Sequence, residues 1–383
     1  MIPNLIDTLE NCDLLFEALK KEPIVAMDTE FVWRRSYYPF IGIIQIGVSR
    51  EKSFIIDTVK LNECPESFRI FLENEKIMKV CHDAYQDIQI INNYAKVTTK
   101  NVLDTQLTAA FTGFGKAVSL SELIEKVQGV SLTKTQTLTN WLNRPLTDAQ
   151  IEYALDDVRY LTPCIKFLLK IAQKNSVIEW ILQDCEELSK IDEPFSLFAA
   201  VEKSYLREMY GVSFSNREKL YRLCYAVEIM ARNRNLPRSF LFKHGQLGEI
   251  INCNPENPQN LKKTTLSHKN INRYASFISD NIKNKEIPVD EDLIKRSVYS
   301  KSKYSTQIGL ITKEIGEIFE KTANEKGISV SRIYNRKQLS QLVCTTLESG
   351  SAVSLSGWRN IFLGGIWNDF WTDKLKRLNY LEI

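Results

Sequence analysis

A chain of 383 residues is longer than one ordinary domain, since single domains mostly contain about 100–200 residues. Hydrophobic residues make up 44% of the sequence and charged residues 25%, a globular composition that excludes a disordered or fibrous chain. The first residues lack a basic stretch followed by an apolar one, and no apolar run approaches the roughly 20 residues of a membrane helix. We therefore expect two or three domains in a cytoplasmic, monomeric protein with no membrane partner.

The net charge of +3 is distributed unevenly along the chain. Residues 1–170 carry 19 basic and 22 acidic side chains, whereas the remaining residues carry 31 and 25. An acidic first part and a mildly basic second part indicate a metal-binding module followed by an anion-binding one. The eight cysteines are scattered and include no CxxC pair, which favours buried thiols over a zinc site or a disulfide framework.

Short apolar runs alternate with helical patterns in the first 175 residues. Strands are predicted at 24–27, 41–48, 53–56, 77–81 and 101–104, the last leading into 105–111, and a helix is predicted at 84–94. Capping-box spacing at Ser119 and Thr147 predicts two further helices. Another helix is expected to begin with Thr162 as its cap and Pro163 as its first residue. This mixture predicts an α/β domain around one central sheet.

After about residue 190 the pattern becomes helical. Segment 191–196 has the composition of a linker, helical spacing begins at Arg217 and resumes at 308–321, and turns are predicted at 254–258 and 284–290. We therefore predict two small all-helical units after the α/β domain. The expected divisions are a first domain at 1–190, a linker at 191–209 and helical domains at 210–288 and 289–383.

The sharpest local pattern is Asp28-Thr29-Glu30 at the end of an apolar strand. Residues two apart on a strand face the same side, so the two carboxylates should project together. They repel each other unless a cation neutralises them, and hard oxygen ligands suit Mg²⁺ or Mn²⁺. Taken alone, however, such a triplet is more commonly a pair of solvated acids.

Two further groups of polar residues come later in the chain. His82, Asp83 and Asp87 lie where a predicted strand ends and a helix begins, the place where α/β sheets carry their sites. A structural role for His82, a capping role for Asp83 and a surface position for Asp87 are the plain alternatives. Tyr153 and Asp157 are four residues apart and share one helix face, although Tyr153 could equally be a core tyrosine.

The order and spacing of these groups resemble the DEDD exonuclease superfamily in its tyrosine-containing branch, and within it the bacterial ribonuclease D family. The matching stretches are 26–31, 37–39 leading into 43–46, 82–87, 103–106, 139–146 and 153–158. The resemblance implies a ribonuclease H-like mixed sheet flanked by helices. In the second half, 217–261 and 325–359 resemble HRDC (helicase and ribonuclease D C-terminal) domains, the second of them diverged.

The resemblance also implies a chemistry, that of a 3′-5′ exoribonuclease that releases 5′-mononucleotides. Asp28, Glu30, Asp87 and Asp157 would hold two divalent cations, Mg²⁺ or Mn²⁺, with Asp28 shared between them. Tyr153 would orient the attacking water, because a tyrosine with a pKa near ~10 is a poor base at neutral pH. The implied substrates are tRNA precursors and other small structured RNAs with 3′ extensions.

Contacts to the RNA are predicted at Trp33, Arg34, Tyr37 and Tyr38, together with His82, because aromatic and basic side chains bind single strands. The aromatic residues could equally form a core cluster. Two other functions remain open at this point: a DNA exonuclease of the proofreading type, which uses the same acids, and a non-enzymatic RNA-binding scaffold. The helical second half argues against the first, and the presence of all five site residues argues against the second.

Overall fold

The structure is a computed structural model that describes residues 3–132, 139–189, 196–296 and 305–381. The chain forms two compact units. The first contains Met1–Val32, Ile41–Pro194 and Lys303–Ile383, and the second contains Trp33–Phe40 and Phe195–Ser302. Within the described ranges, no helix is long and apolar enough to cross a membrane. The eight cysteines are free thiols, as their spacing predicted.

A six-stranded mixed sheet lies at the centre of the first unit. Its strands are β1 (Leu5–Ile6), β2 (Ile24–Val32), β3 (Phe40–Gly47), β4 (Ser53–Asp57), β5 (Met78–Cys81) and β6 (Val102–Asp104), in the order β1-β4-β3-β2-β5-β6. Strands β2, β5 and β6 run parallel, β1 runs parallel to β4, and β3 runs antiparallel to β4. The predicted α/β fold with a central sheet is confirmed. Strand β1 was not predicted, because two residues are too few to show a period.

Helices cover both faces of this sheet. They are α1 (Leu9–Leu19), α2 (Thr58–Leu61), α3 (Glu66–Glu73), α4 (Tyr85–Ala95), α5 (Thr105–Phe111), α6 (Leu120–Gln128), α7 (Asp148–Arg159), α8 (Leu161–Lys174) and α9 (Ile178–Ser189). Thr147 and Gln150 form the predicted capping box of α7. The predicted start of α8 was wrong: the helix begins at Leu161, with Thr162 and Pro163 inside its first turn. Proline is tolerated there because the first N–H groups of a helix have no intrahelical partner.

The second unit is helical and has its own apolar core. It contains α10 (Leu197–Glu208), α11 (Arg217–Asn233), α12 (Arg238–Leu241), α13 (Gln246–Asn252), α14 (His268–Lys283) and α15 (Glu291–Arg296). Of the predicted linker 191–209, residues 191–195 lie outside the described residues, and α10 occupies most of the rest. This helix is not a linker, because Val201 and Tyr205 are fully buried and Glu208 accepts hydrogen bonds from the N–H groups of Gly245 and Leu247, at 2.8 and 3.1 Å.

The last four helices, α16 (Ser305–Lys326), α17 (Val330–Ile333), α18 (Arg336–Ser349) and α19 (Gly357–Leu381), belong to the first unit. The ring of Trp358 lies 5.1 Å from that of Trp180 on α9 and 5.3 Å from that of Phe111 on α5. Ser329 donates a backbone hydrogen bond of 2.9 Å to the carbonyl of Ala110. Residues 289–383 were expected to form a separate domain, whereas these helices share a core with the sheet domain.

Candidate active site

Three carboxylates meet where β2 faces α7. Asp28 and Glu30 lie two residues apart on β2, and Asp157 lies in the last turn of α7. One carboxylate oxygen from each residue lies within 4.8 Å of the other two. The structure therefore brings together three of the four predicted acids on one face of the sheet.

A glycine on β3 lets α7 lie close to the sheet. A Cβ at Gly47 would be only 2.7 Å from the carbonyl oxygen of Val158, which follows Asp157 on α7. A methyl group at this position would push the helix away from the strand. The small residue on β3 therefore helps to set the approach of Asp157 to β2.

Arg144 fastens the segment before α7 to the sheet. Its guanidinium donates two hydrogen bonds of 2.7 Å to Asp57 and others of 2.8 Å to the carbonyls of Gly42 and Trp141. Asp57 is fully buried, so this bidentate ion pair is held away from water. The ring of Trp141 lies 6.1 Å from that of Tyr153, which places Tyr153 against the anchored segment. Neither Arg144 nor Asp57 was among the predicted site residues.

Asp87 reaches the site from the other side of β2. It lies in the first turn of α4, and its carboxylate accepts a hydrogen bond from the hydroxyl of Thr29, which points away from Asp28 and Glu30. Asp87 is not one of the three clustered acids, but burial and then the negative charge of Asp87 raise the pKa of Asp28 well above its usual range. The hydrogen bond from Thr29 therefore joins the fourth predicted acid to the strand segment that carries Asp28 and Glu30.

Burial and the negative charges of neighbouring carboxylates raise the pKa of every predicted acid. Burial comes first in each case, and it raises the pKa of Glu30 to about 8, of Asp157 to about 7 and of Asp87 to about 6. The pKa of Asp28 is raised well above its usual range by burial and then by the charges of Asp87, Asp157 and Glu30. Ionising all four carboxyl groups therefore costs free energy unless a cation supplies positive charge.

This arrangement fits divalent cations. Among the residues that the structure describes, no lysine or arginine forms an ion pair with Asp28, Glu30, Asp87 or Asp157. The ligands on offer are carboxylate oxygens, which Mg²⁺ and Mn²⁺ prefer. A bound cation would neutralise the repulsion that burial intensifies.

Tyr153 lies one turn before Asp157 on the same face of α7. Burial, followed by the negative charges of Asp157, Glu30 and Asp28, raises the pKa of its hydroxyl well above the usual value. The side chain therefore stays protonated at neutral pH and can donate a hydrogen bond, but it cannot act as a base.

The residues predicted to contact RNA fall into different environments. Trp33 is 44% exposed and Arg34 is exposed. The hydroxyl of Tyr37 donates a hydrogen bond to Glu228, and the backbone N–H groups of Tyr37 and Tyr38 donate to the Asn235 side chain at 3.0 and 2.9 Å. Tyr37 also packs against the apolar core of the second unit, which favours the alternative of a core position for its ring, and Tyr38 is held there through its backbone.

His82 is built into the fold through both ring nitrogens. Its Nδ1 lies 2.8 Å from the hydroxyl of Thr105, and its Nε2 donates to the carbonyl of Val118 at 3.0 Å. Burial lowers the pKa of the imidazole and so favours the neutral ring, in which Nδ1 accepts a hydrogen bond from the Thr105 hydroxyl. This geometry favours the structural role for His82. Asp83 does not cap α4, because the N-cap position of this helix is Ala84 and carries no side-chain cap hydrogen bond. The backbone N–H groups of Asp83 and Ala84 themselves donate to the carboxylate of Asp104.

Comparisons with known proteins agree with the fold and show the family of the chain. A family model described as 3′-5′ exonuclease matches residues 3–173. The ribonuclease D of Desulfotalea psychrophila is 31% identical over 372 residues, which cover 94% of this chain and 96% of that protein, and that of Bartonella henselae is 26% identical over 363 residues, covering 94% and 88%. The crystal structure of Escherichia coli RNase D has a TM-score of 0.82 at 23% identity and covers 97% of this chain and 99% of its own, so the fold agrees along the chain. The chain belongs to the ribonuclease D family of hydrolytic 3′-5′ exoribonucleases.

Proposed function

We propose that this protein shortens RNA from the 3′ end by metal-dependent hydrolysis and releases 5′-mononucleotides. The observation that supports this proposal is the meeting of Asp28, Glu30 and Asp157 within 4.8 Å, without a cationic partner among the described residues. Membership of an exonuclease family supports the direction of the reaction.

The four acids would hold two divalent cations, Mg²⁺ or Mn²⁺. Asp28, Glu30 and Asp157 suit one of them, and Asp87 would complete the set for the second, with Asp28 shared. When bound, such cations lower the pKa of a coordinated water and offset the negative charge of the phosphodiester. The protein contributes ligands held by a strand and two helices, so that little rearrangement is needed.

Tyr153 would orient the attacking water through its hydroxyl. The raised pKa of this group keeps the proton on the oxygen, so Tyr153 acts as a hydrogen-bond donor and not as the base. Trp141 packs beside the ring and Arg144 anchors that segment, so the hydroxyl keeps one position relative to Asp157. The role of Tyr153 is therefore positional.

The substrates we propose are tRNA precursors and other small structured RNAs with 3′ extensions, bound by a monomer in the cytoplasm. The crystal structure of Escherichia coli RNase D is described as that of an exoribonuclease involved in structured RNA processing, which supports this class. Helices α10–α15 would form a first HRDC-type domain and α16–α19 a second, diverged one joined to the exonuclease core. Both would contact phosphates without reading sequence, as would the exposed side chains of Trp33 and Arg34.

A time course on a 3′-extended tRNA precursor tests this function. Reactions contain Mg²⁺, Mn²⁺ or EDTA, with a DNA oligomer of matched sequence in parallel. We expect progressive shortening of the RNA, 5′-mononucleotides as products and no reaction in EDTA. Internal fragments or cleavage that resists EDTA would contradict the proposal, and faster digestion of the DNA would support the proofreading type of exonuclease.

A further inference from the structure

We propose that Asp104 is a positioning residue for the metal site, because it fixes the turn that places Asp87 beside β2. The inference rests on the proposed metal-dependent function, since Asp87 is one of the expected ligands. The stretch at 103–106, which contains none of the five proposed site residues, would thereby support the site from outside it.

Asp104 caps α5 and also binds the turn that precedes α4. It is the last residue of β6 and is 6% exposed. Its carboxylate accepts hydrogen bonds from the backbone N–H groups of Asp83 and Ala84, both at 3.0 Å, and from those of Gln106 and Leu107, at 2.7 and 3.2 Å. One buried anion therefore connects the turn before α4 to the first turn of α5.

The carboxylate of Asp104 holds the turn from which α4 begins. Ala84 precedes the helix and offers no capping side chain. Asp83 has a φ of 59°, a left-handed conformation that costs free energy in a residue other than glycine and persists only when its surroundings hold it. Asp104 supplies that restraint through the N–H groups of both residues. If these bonds are lost, we expect the turn to relax and the first turn of α4 to move with it.

Asp87 is the third residue of α4, so a shift of the first turn moves its carboxylate directly. That carboxylate accepts a hydrogen bond from the hydroxyl of Thr29, which lies between Asp28 and Glu30 on β2. Displacing a catalytic group by about 1 Å can cost a factor of roughly 100 in rate. Asp104 thus acts on the site through Asp87 without touching the reacting atoms.

Thr105 reinforces the same turn through different atoms. Its hydroxyl lies 2.8 Å from Nδ1 of His82, to which it donates when the ring is neutral, and 3.1 Å from the carbonyl of Cys81. His82 in turn donates to the carbonyl of Val118. The connection from β5 to α4 is therefore held at four consecutive residues by the Asp104-Thr105 pair, which makes Thr105 the second residue for testing the inference.

Mn²⁺ affinity, measured by calorimetry on the full chain, separates a positioning role from a purely structural one. We expect Asp104→Asn to weaken Mn²⁺ binding about tenfold or more, as loss of a residue that orients a metal ligand does. The matched control is Asp290→Asn. Asp290 also accepts a backbone hydrogen bond at a helix start, from Leu293 at 2.7 Å, but lies in the second unit, so this variant should keep wild-type affinity even if it melts earlier.

If the Asp104→Asn protein still melts cooperatively and binds Mn²⁺ with wild-type affinity, the role of Asp104 is overturned, whereas the proposed metal-dependent function is not. If the Asp104→Asn variant does not fold, the Thr105 variants test the inference. We expect Thr105→Val to bind Mn²⁺ more weakly than the wild type and Thr105→Ser to recover the affinity. Equal affinities in the wild type and both Thr105 variants would overturn the inference. Absence of Mn²⁺ binding by the wild type would instead contradict the metal-dependent function, and the role of Asp104 with it.

Discussion

The hydroxyl of Thr29 donates a hydrogen bond to the carboxylate of Asp87 and so joins β2 to α4 beside the candidate site. Thr29 is 5% exposed and lies between Asp28 and Glu30, whose side chains project from the other face of the strand. One short strand segment therefore supplies two carboxylates and also orients a third. The bond therefore connects Asp87 on α4 to the strand that carries Asp28 and Glu30.

Replacing Thr29 should weaken the site without removing an acid. We expect Thr29→Val to raise the Mg²⁺ concentration needed for half-maximal RNA hydrolysis about tenfold, because Asp87 loses the donor that orients it. Thr29→Ser keeps the hydroxyl and should restore most of the activity. Initial rates across a Mg²⁺ titration would measure both variants. Equal Mg²⁺ dependence in Thr29→Val and the wild type would show that the bond does not position Asp87.

Tyr153→Phe should lower turnover while leaving metal affinity nearly intact. The ring and its packing on Trp141 remain, and only the hydroxyl that orients the attacking water is lost. Loss of one hydrogen bond of about 1.5 kcal/mol corresponds to roughly tenfold slower chemistry. Single-turnover rates at saturating Mg²⁺, together with Mn²⁺ affinity, would measure the two quantities separately. Unchanged turnover would remove Tyr153 from the mechanism.

Asp28→Asn should abolish hydrolysis and yet stabilise the protein in EDTA. Burial and three neighbouring carboxylates raise the pKa of Asp28, so removing its charge relieves repulsion when no cation is bound. We expect a thermal midpoint at pH 7.5 that is higher by about 2–4 °C for each kcal/mol of relief. Asp369→Asn, which changes an exposed acid on α19, should leave the midpoint unchanged. A lower midpoint for Asp28→Asn in EDTA would contradict the electrostatic account of the cluster.

Lys79 predicts a pH dependence of stability away from the site. This residue of β5 is fully buried, its ammonium donates to the carbonyl of Asn74 at 2.5 Å, and burial lowers its pKa from 10.5 to about 8. Between these two values the unfolded chain binds more protons than the folded one, so the free energy of unfolding should rise with pH. Below about pH 8, we expect Lys79→Met to stabilise the protein by roughly 1–3 kcal/mol, a gain that shrinks towards pH 10.5.

Urea denaturation of the wild type and of Lys79→Met between pH 7 and pH 10 would measure this difference. A gain that stays constant over that range would mean that Lys79 titrates alike in the folded and unfolded chains.

Asp184 connects α19 to α9 inside the exonuclease unit. It accepts hydrogen bonds from the indole of Trp358 at 2.8 Å and from the guanidinium of Arg359 at 2.9 Å. Asp184→Ala leaves both donors largely buried, so we expect it to lower the free energy of unfolding by about 2–4 kcal/mol. Glu317→Ala, which breaks an exposed pair with Lys313, should have almost no effect. Equal stability of the two variants in chemical denaturation would mean that α19 does not support the core.

Local patterns predicted the sheet and the chain positions of the acids, because these features depend on neighbouring residues. The apolar runs of β2, β5 and β6 and the capping box at Thr147 are examples. Contacts between distant segments could not be predicted in this way. Thr29 lies 58 residues from Asp87, and Asp104 lies 21 residues from Asp83, so no periodicity links either pair.

The division of the second half was also beyond local patterns. The spacing of apolar residues in α16–α19 predicts helices, but it does not say which surface they cover. Trp358 packs on α9 and α5, so these helices complete the exonuclease core, whereas α10 joins the core of the second unit. The side chains of Tyr37 and Tyr38 were ambiguous for the same reason, since an aromatic pair can bind a base or fill a core.

A structured RNA with a label on its 3′-terminal nucleotide tests most directly whether the site hydrolyses RNA from the 3′ end. With Mg²⁺, we expect the wild type to release the label first, as a 5′-mononucleotide, and we expect both Asp28→Asn and EDTA to abolish this release. Label that remains in longer fragments, or release by Asp28→Asn at the wild-type rate, would contradict a 3′-5′ exoribonuclease site built on Asp28.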